Sequence, residues 1–329
     1  MRPYQRFAID DASQVGEARR AANMLAAELG FGEAAAGRLA LGVTELGTNL
    51  VRHAGGGALL LGLDGSAIEL LSLDTGPGMD IDRCLQDGFS TASTAGTGLG
   101  AVKRLANRFS AFSLPQRGAV ISARFETKTQ SAAAPFKGFS VAGIGLPAPG
   151  ERVSGDGWGS RAGDGRTMLL MADGLGHGPE AAEASDLAVE LFQRGKPAEP
   201  AATLEDVHLN LRSTRGAAVA IVAIEPTLER LVFAGAGNIT GRLISGVSDR
   251  TLMSQPGTLG VQIRRLQDAT YDWPEHAILV LFSDGIVSRW SLADALGLLQ
   301  CEPMVIAGWI IRDHLRGHDD ATVVVVRRH

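Results

Sequence analysis

Residues 167–178 constrain this chain most. Met168 to Met171 form a short apolar run, Asp173 follows, and Gly174, Gly176 and Gly178 then permit tight turns before Pro179. The pattern reads as a buried strand that stops on an aspartate and enters a helix at Pro179, where a missing N–H costs nothing. An acid beside an accessible backbone carbonyl, fixed on a strand end, suits a hard divalent cation. Ser154-Gly155-Asp156, Phe282-Ser283-Asp284-Gly285 and His318-Asp319-Asp320 have the same look, each flanking an apolar stretch. Four such sites in one half of the chain point to a carboxylate-lined metal centre.

The 329 residues leave room for two domains. The formal net charge of −5 argues against a nucleic-acid footprint. Cys84 and Cys301 stand in no metal or redox spacing, which fits a reducing compartment with both thiols unreactive. The first residues lack an apolar signal core, and no apolar run approaches the ~20 residues that span a bilayer. The expectation is a cytoplasmic protein with no nucleic-acid or membrane partner.

In the first third, Ser13 to Leu29 reads as a helix closed by Gly30. A second helix is expected from Glu33 to Ala54, with Leu39, Val43, Leu46 and Leu50 on one face and Glu45, Asn49 and His53 on another. Strands follow at 58–63 and 68–74, joined at Asp64-Gly65. The second runs into Asp74-Thr75-Gly76-Pro77-Gly78. A polar stretch, 86–94, precedes Gly96-Thr97-Gly98-Leu99-Gly100, which opens a helix with the stripe Leu99, Val102, Leu105, Ala106 and Phe109. A last strand is expected at 119–125.

In order and spacing, Glu45 to Asn49 with His53, Asp74 to Gly78, and Gly96 to Gly100 resemble the three boxes of the GHKL nucleotide-binding domain of gyrase, Hsp90, sensor histidine kinases and MutL. The resemblance covers roughly residues 5–126. It implies that Asp74 accepts from the adenine amino group and that Gly76 and Gly78 let the base approach the backbone. It further implies that Gly96, Gly98, Leu99 and Gly100 present a helix N-terminus to the phosphates. Asn49 would hold Mg²⁺ through its amide oxygen, and Glu45 would orient or deprotonate an attacking hydroxyl. His53 either touches nucleotide or caps the helix end. The 86–94 segment and the Leu99-Gly-Ala-Val-Lys-Arg-Leu105 run are similar to the stressosome-type (RsbT-like) switch kinases of partner-switching pathways.

Residues 129–136 are small, polar and unpatterned, a linker. Beyond it the reading is strand-rich: strands at 139–146, 217–224, 230–234, 240–244, 276–282 and 321–327. Helices are expected at 179–194, 204–212, 292–299 and 304–314. Asp156, Asp173-Gly174, Gly235-Ala-Gly-Asn238, Asp284-Gly285 and Asp319-Asp320 run in the order of the PPM-class metal-dependent serine/threonine phosphatases, in their SpoIIE-like, RsbX-like branch. The resemblance covers roughly 137–329. It implies two Mn²⁺ or Mg²⁺ ions bridged by Asp173, one also held by the Gly174 carbonyl, the other by Asp284 and Asp319, with Asp156 assisting. Asp320 reads as a supporting acid, His177 as a helix cap or an acid. Arg152 and Arg161 are the candidate phosphate-binding cations.

The expected fold is therefore α/β (α+β): an N-terminal GHKL (Bergerat) α/β sandwich over 1–128, and a PPM-type αββα sandwich over 137–329. The resemblances imply ATP with Mg²⁺ in the first domain and two Mn²⁺ or Mg²⁺ in the second. They also imply a STAS-domain phosphoprotein as shared target, with a downstream phosphatase or sigma-pathway protein as a further partner. The alternative reading makes the first domain a non-catalytic nucleotide switch or an anti-sigma-type binding module.

Overall fold

The structure is a computed structural model, and it describes residues 2–85, 98–127, 138–163, 165–196, 198–225 and 229–328. Contacts divide the chain into two units. The first runs from Tyr4 through the N-terminal sheet and also takes in Gln300–Arg312. The second holds the remaining C-terminal residues up to Leu299 and from Asp313 onward. The linker expected at 129–136 lies outside the described residues.

The first unit contains β1 (Gln5–Ile9), α1 (Ala12–Glu28), α2 (Glu33–Asn49), β2 (Gly57–Asp64), β3 (Ala67–Leu73), α3 (Ile81–Cys84), α4 (Leu99–Leu105), β4 (Arg108–Leu114) and β5 (Gly118–Glu126). The strands form one antiparallel sheet in the order β1-β2-β3-β5-β4. Asp11 caps α1 in a reciprocal pair with Gln14, and Gly30, in the left-handed region, closes it as expected. Val15, Leu39, Val43 and Leu46 on the helices meet Leu59, Leu61, Ile68, Leu70, Ile121 and Phe125 on one face of the sheet.

Three expectations for this unit change. The second helix does not stay α to its end: Leu50–Ala54 form a π-helical turn. The stripe assigned to one helix through Phe109 breaks at Leu105, because the Asn107 N–H bonds to the Arg124 carbonyl and draws the chain into β4. Strands β1 and β4 were not expected at all; each is a sheet edge, less buried than the central β3.

The second unit contains β6 (Phe139–Leu146), β7 (Asp156–Gly163), β8 (Arg166–Gly174), α5 (Pro179–Arg194), α6 (Pro200–Asn210), β9 (Ala217–Glu225), β10 (Arg230–Ala236), β11 (Thr240–Ile244), β12 (Asp249–Leu252), β13 (Gly257–Thr258), β14 (Gln262–Ile263), β15 (Ala269–Asp272) and β16 (Ile278–Phe282). After α7 (Pro303–His314), the chain returns in β17 (Ala321–Arg328). Two five-stranded sheets result, β15-β10-β9-β8-β7 and β12-β11-β16-β17-β6. Leu169, Met171, Val222 and Phe233 of one interdigitate with Leu243, Leu279, Leu281 and Val324 of the other. The opposite face of the first sheet, with Met168, Leu170, Val219 and Ile221, is covered by Ala184, Ala188 and Phe192 of α5 and by Leu204 and Val207 of α6. This is the sheet-rich sandwich expected after a GHKL-like region. The helix expected at 292–299 is instead a run of turns with bonds from Ala295 to Leu292 and from Leu298 to Ala295. Its apolar spacing of three is the period of a 3₁₀ turn.

Helix α7 is the chief surprise in the fold. Its residues up to Arg312 group by contact with the N-terminal sheet rather than with the sandwich. Gly308 packs so closely on Leu71, Leu73 and Val120 that a Cβ there would lie 3.0–3.2 Å from their methyl groups. Phe112 meets the Trp309 ring edge-on at 5.1 Å, and the Tyr4 hydroxyl reaches the Met304 sulfur. Both faces of the N-terminal sheet are thus buried, which is why every residue of β3 is buried. No helix among the described residues is long and apolar enough to cross a membrane.

Phe233 is fully buried between the two sandwich sheets. Phe233→Ala should lower the stability of the second unit by about 3–5 kcal/mol, read by denaturant titration. A loss below about 1 kcal/mol would show that the two sheets do not pack there.

Candidate functional sites

The first site forms where β3 ends. Asp74 follows the strand, its N–H bonded to the Ala119 carbonyl and its Oδ1 accepting from the Gly76 N–H at 2.9 Å. Burial raises its carboxyl above the ordinary range, against the pull of those amides and of Arg312. A cavity of about 300 Å³ opens beside it, walled by Asn49, His53, Ser72, Asp74, Gly78 and Leu99 among others. The π turn matters here: Asn49, Leu50, His53 and Ala54 all line the cavity, and π turns often occur at functional positions. Gly78 sits at φ +77, and a Cβ would lie 2.2 Å from the Leu114 carbonyl, so only glycine allows this approach.

Of the residues selected by sequence, Asn49, Asp74, Gly78, Gly98 and Leu99 meet in this cavity. Gly76 does not line it; it packs against Ala54 instead. Gly100 lies in the first turn of α4 beside the Leu85 carbonyl, also outside the cavity lining. Glu45 is one helical turn before Asn49 and outside the lining too; burial raises its carboxyl, with Arg52 opposing. Gly96 and the 86–94 segment lie outside the described residues. Ser72, Met79, Cys84 and Ile121 add to the walls and carried no signal: Ser72 and Ile121 are of types found in any buried strand, and Met79 and Cys84 stand in no motif.

The second site is the end of the sandwich at which four strands start or stop. Asp156 opens β7 and pairs directly across from Asp173 near the end of β8. Asp284 follows β16, and Asp319 precedes β17. A cavity of about 300 Å³ is lined by Asp173, Gly174, Gly176, Asn238, Asp284 and Asp319, with Thr258 at its wall. Asn238 Nδ2 donates to Asp284 Oδ2 at 2.8 Å. Gly174 lies so close to α5 that a Cβ would be 2.1 Å from the Ala181 carbonyl. Asp156 is buried behind the cavity; its Oδ2 accepts from the Ser283 hydroxyl at 2.6 Å. Burial first, and then neighbouring carboxylates, raise both Asp156 and Asp173 well above the usual range.

These residues fit a hard divalent ion in chemistry. All donors are oxygens, like charges face one another across β7 and β8, and Asp156 Oδ1 is buried with no hydrogen-bond partner among the described residues. Among the described residues, no three Asp, Glu, His or Cys side chains are gathered in a metal-holding group. Asp320 supports the site from behind, accepting the Ala148 N–H at 2.8 Å. His177 faces Glu151 at 3.0 Å and does not cap α5.

Two arginines near the second site differ in what holds them. Arg161 donates to the Phe192 and Gly195 carbonyls at the end of α5 and lies over the Phe192 ring, so its guanidinium is committed. Arg215, not selected by sequence, has its Nη1 3.4 Å from where a Gly176 side chain would begin, and pairs with Glu180. Its position depends on the Leu175 N–H bonding the Gly216 carbonyl, a long-range contact that no local pattern announces.

A family model for stage II sporulation protein E (SpoIIE) matches residues 163–329, and one for the histidine kinase-like ATPase domain matches residues 8–125. The serine/threonine-protein kinase RsbT of Bacillus subtilis (strain 168) is 36% identical over 113 residues, 32% of this chain and 84% of that protein. A structure described as the bacterial stressosome, a modular system adapted to control secondary messenger signalling, is similar at 28% identity with a TM-score of 0.52. It spans 57% of this chain and 99% of its own. RsbX in complex with magnesium is similar at 18% identity with a TM-score of 0.47, over 59% of this chain and 97% of its own. The chain belongs to the SpoIIE family over its C-terminal half, joined behind a histidine kinase-like ATPase domain related to RsbT.

Two outcomes follow for the second site. Mn²⁺ at about 100 times its Kd should stabilise the chain by about 2.7 kcal/mol, seen as a rise in Tm. In metal-free buffer the raised Asp173 is neutral over a range in which the unfolded chain has lost that proton. Stability should therefore fall as pH rises through its raised pKa, and the Mn²⁺ gain should grow over the same window. An unchanged Tm with Mn²⁺ or chelator at every pH would remove the ion from the site. Separately, Ser283→Ala leaves Asp156 Oδ2 without its buried donor and should cost about 1–3 kcal/mol in thermal or denaturant unfolding. An unaltered midpoint would show that the bond holds nothing together.

Proposed function

We propose that this chain is a bifunctional signalling enzyme of a partner-switching pathway in the cytoplasm. Its N-terminal domain, about residues 1–128, phosphorylates a serine or threonine of a STAS-domain partner. Its C-terminal domain, about 137–329, removes that phosphate. The observation that carries the reading is the carboxylate-walled cavity in a SpoIIE-family domain, behind a domain 36% identical to a serine/threonine-protein kinase.

In the first domain, Asp74 accepts from the adenine amino group, and Gly76 and Gly78 shape the turn beneath the base. Gly96, Gly98, Leu99 and Gly100 form the segment facing the phosphates. Asn49 supplies an amide oxygen to the Mg²⁺ of MgATP. Glu45, raised by burial, takes the proton of the partner's hydroxyl.

In the second, Asp173, the Gly174 carbonyl, Asp284 and Asp319 hold two Mn²⁺ or Mg²⁺ ions, with Asp156 assisting. When bound, those ions supply Lewis-acid activation of water and neutralise the phosphate charge. Asn238 orients Asp284, and Ser283 fixes Asp156. Arg215 offers a cation beside Gly176 for the phosphate oxygens. A downstream phosphatase or sigma-pathway protein is a further partner of the same pathway.

One observation favours a second reading. Glu45 does not line the cavity that Asn49 and Asp74 share. On that reading the first domain binds nucleotide as a switch, without transfer, and controls the phosphatase.

The variants Asp284→Asn and Glu45→Ala separate the two. With ATP and a STAS partner, Asp284→Asn should lose about 10–100-fold in dephosphorylation and accumulate phosphorylated partner on a phosphate-retarding gel. Glu45→Ala should hold the partner dephosphorylated while keeping Mn²⁺-dependent phosphatase activity. If Glu45→Ala phosphorylates the partner as the unmutated chain does, Glu45 is no base. Nucleotide binding without any transfer selects the switch.

A further inference from the structure

The Asp74 corner is fixed from an unexpected direction. Arg312 Nη1 donates to the Asp74 carbonyl at 2.9 Å, from 238 residues along the chain. The same carbonyl lies in a tight slot: a Cβ on Gly118, which sits at φ +75, would be 2.1 Å from it. The guanidinium of Arg312 also lies 3.6 Å from the Trp309 ring centroid, and Arg117 approaches the same ring at 5.8 Å. One turn earlier, Gly308 packs on Leu73, the residue that immediately precedes Asp74. Asp74 is therefore held by its own N–H on Ala119, by its Oδ1 on Gly76, and by Arg312 on its carbonyl. The first two belong to the sheet and its turn. The third is carried by a helix that the chain inserts only after completing most of the sandwich.

We propose that Arg312 is a positioning residue for purine nucleotide in the first unit, and that nucleotide binding and the seating of Pro303–Arg312 on the N-terminal sheet favour one another. This rests on the reading of the Asp74 cavity as the nucleotide site. A ligand that needs the Asp74 carboxyl in one orientation gains from a fixed carbonyl on the same residue. By linkage, it must then favour the helix that does the fixing. The helix leaves this unit at Arg312, and seven residues later the same chain supplies Asp319. The Arg316 N–H bonds the Gly285 carbonyl, and the Val287 N–H bonds the His314 carbonyl, so the segment following α7 runs beside the residues following Asp284. The backbone therefore runs directly from the helix into the segment that carries Asp319.

The test uses the full chain with ADP and Mg²⁺ as probe. Calorimetry gives the affinity, and hydrogen exchange by mass spectrometry follows residues 303–312 with α1 as internal reference. In the unmutated chain, ADP should slow exchange in 303–312 and leave α1 little changed. Arg312→Ala should bind ADP at least ~5-fold more weakly, with that protection lost on nucleotide addition. Arg312→Lys keeps the charge and the long stem, and should restore part of both effects. It also serves as the readout should Arg312→Ala not fold. Unchanged ADP affinity in a folded Arg312→Ala, or unchanged exchange in 303–312 on adding ADP to the unmutated chain, overturns the proposal. Absence of ADP binding to the unmutated chain refutes the cavity assignment and the proposal with it.

Discussion

The hydroxyl of Ser283 holds the second site together. It is fully buried at the end of β16, donates to Asp156 on the opposite sheet, and accepts the N–H of Thr322 at the start of β17. One side chain thus ties three strand ends from two sheets. The arrangement concentrates charge: Asp156, Asp173, Asp284 and Asp319 all come to this end because their strands run antiparallel and stop in register. Sandwich packing brings the acids close, and burial makes their repulsion costly. A neutral donor that binds one of them without adding charge is the cheapest way to keep the sheets aligned there.

Much of this was legible in the residues, for a physical reason. Four acids at or near strand starts or ends, among them Asp173 before Gly174 and Asp284 before Gly285, are more than generic turns require. Close backbone packing at Gly174 against Ala181, and at Gly285 against the Asp320 carbonyl, leaves no room for a side chain. Hence each motif is a short string with a steric reason behind it. Asp74 to Gly78 is legible on the same ground, through Gly78 beneath Leu114. Ser283 was not legible as a bridge, since a serine before an aspartate has many local uses. Arg215 was not selected, because its place beside Gly176 comes from a long-range contact, whereas Arg152 and Arg161 were named for their nearness to the first acidic motif. Arg161 is drawn off by the carbonyls that end α5.

The seat of α7 shows a different limit. Ala58 to Leu61 and Ile68 to Leu73 do not alternate cleanly, and a strand that is apolar on both sides expects cover on both sides. Helix α7 is itself apolar nearly all round, with Val305, Ile306, Ala307, Trp309, Ile310 and Ile311 buried, so it expects neighbours on more than one face. Each half of the match was therefore written locally. What was not written is the pairing, because the hydrophobic effect rewards burial without naming a partner. Arg312 adds direction, through a bond that cares where the Asp74 carbonyl points.

The two cavities are of similar size and opposite character. In the first, Asp74 has its N–H, one carboxyl oxygen and its carbonyl fixed by protein, and the surrounding walls are largely side chains already packed in the core. These bonds fix the Asp74 corner from within the protein. In the second, burial and like-charged neighbours raise the Asp156 and Asp173 carboxyls, and Asp156 Oδ1 has no hydrogen-bond partner among the described residues, a set of oxygens whose chemistry suits a hard divalent ion.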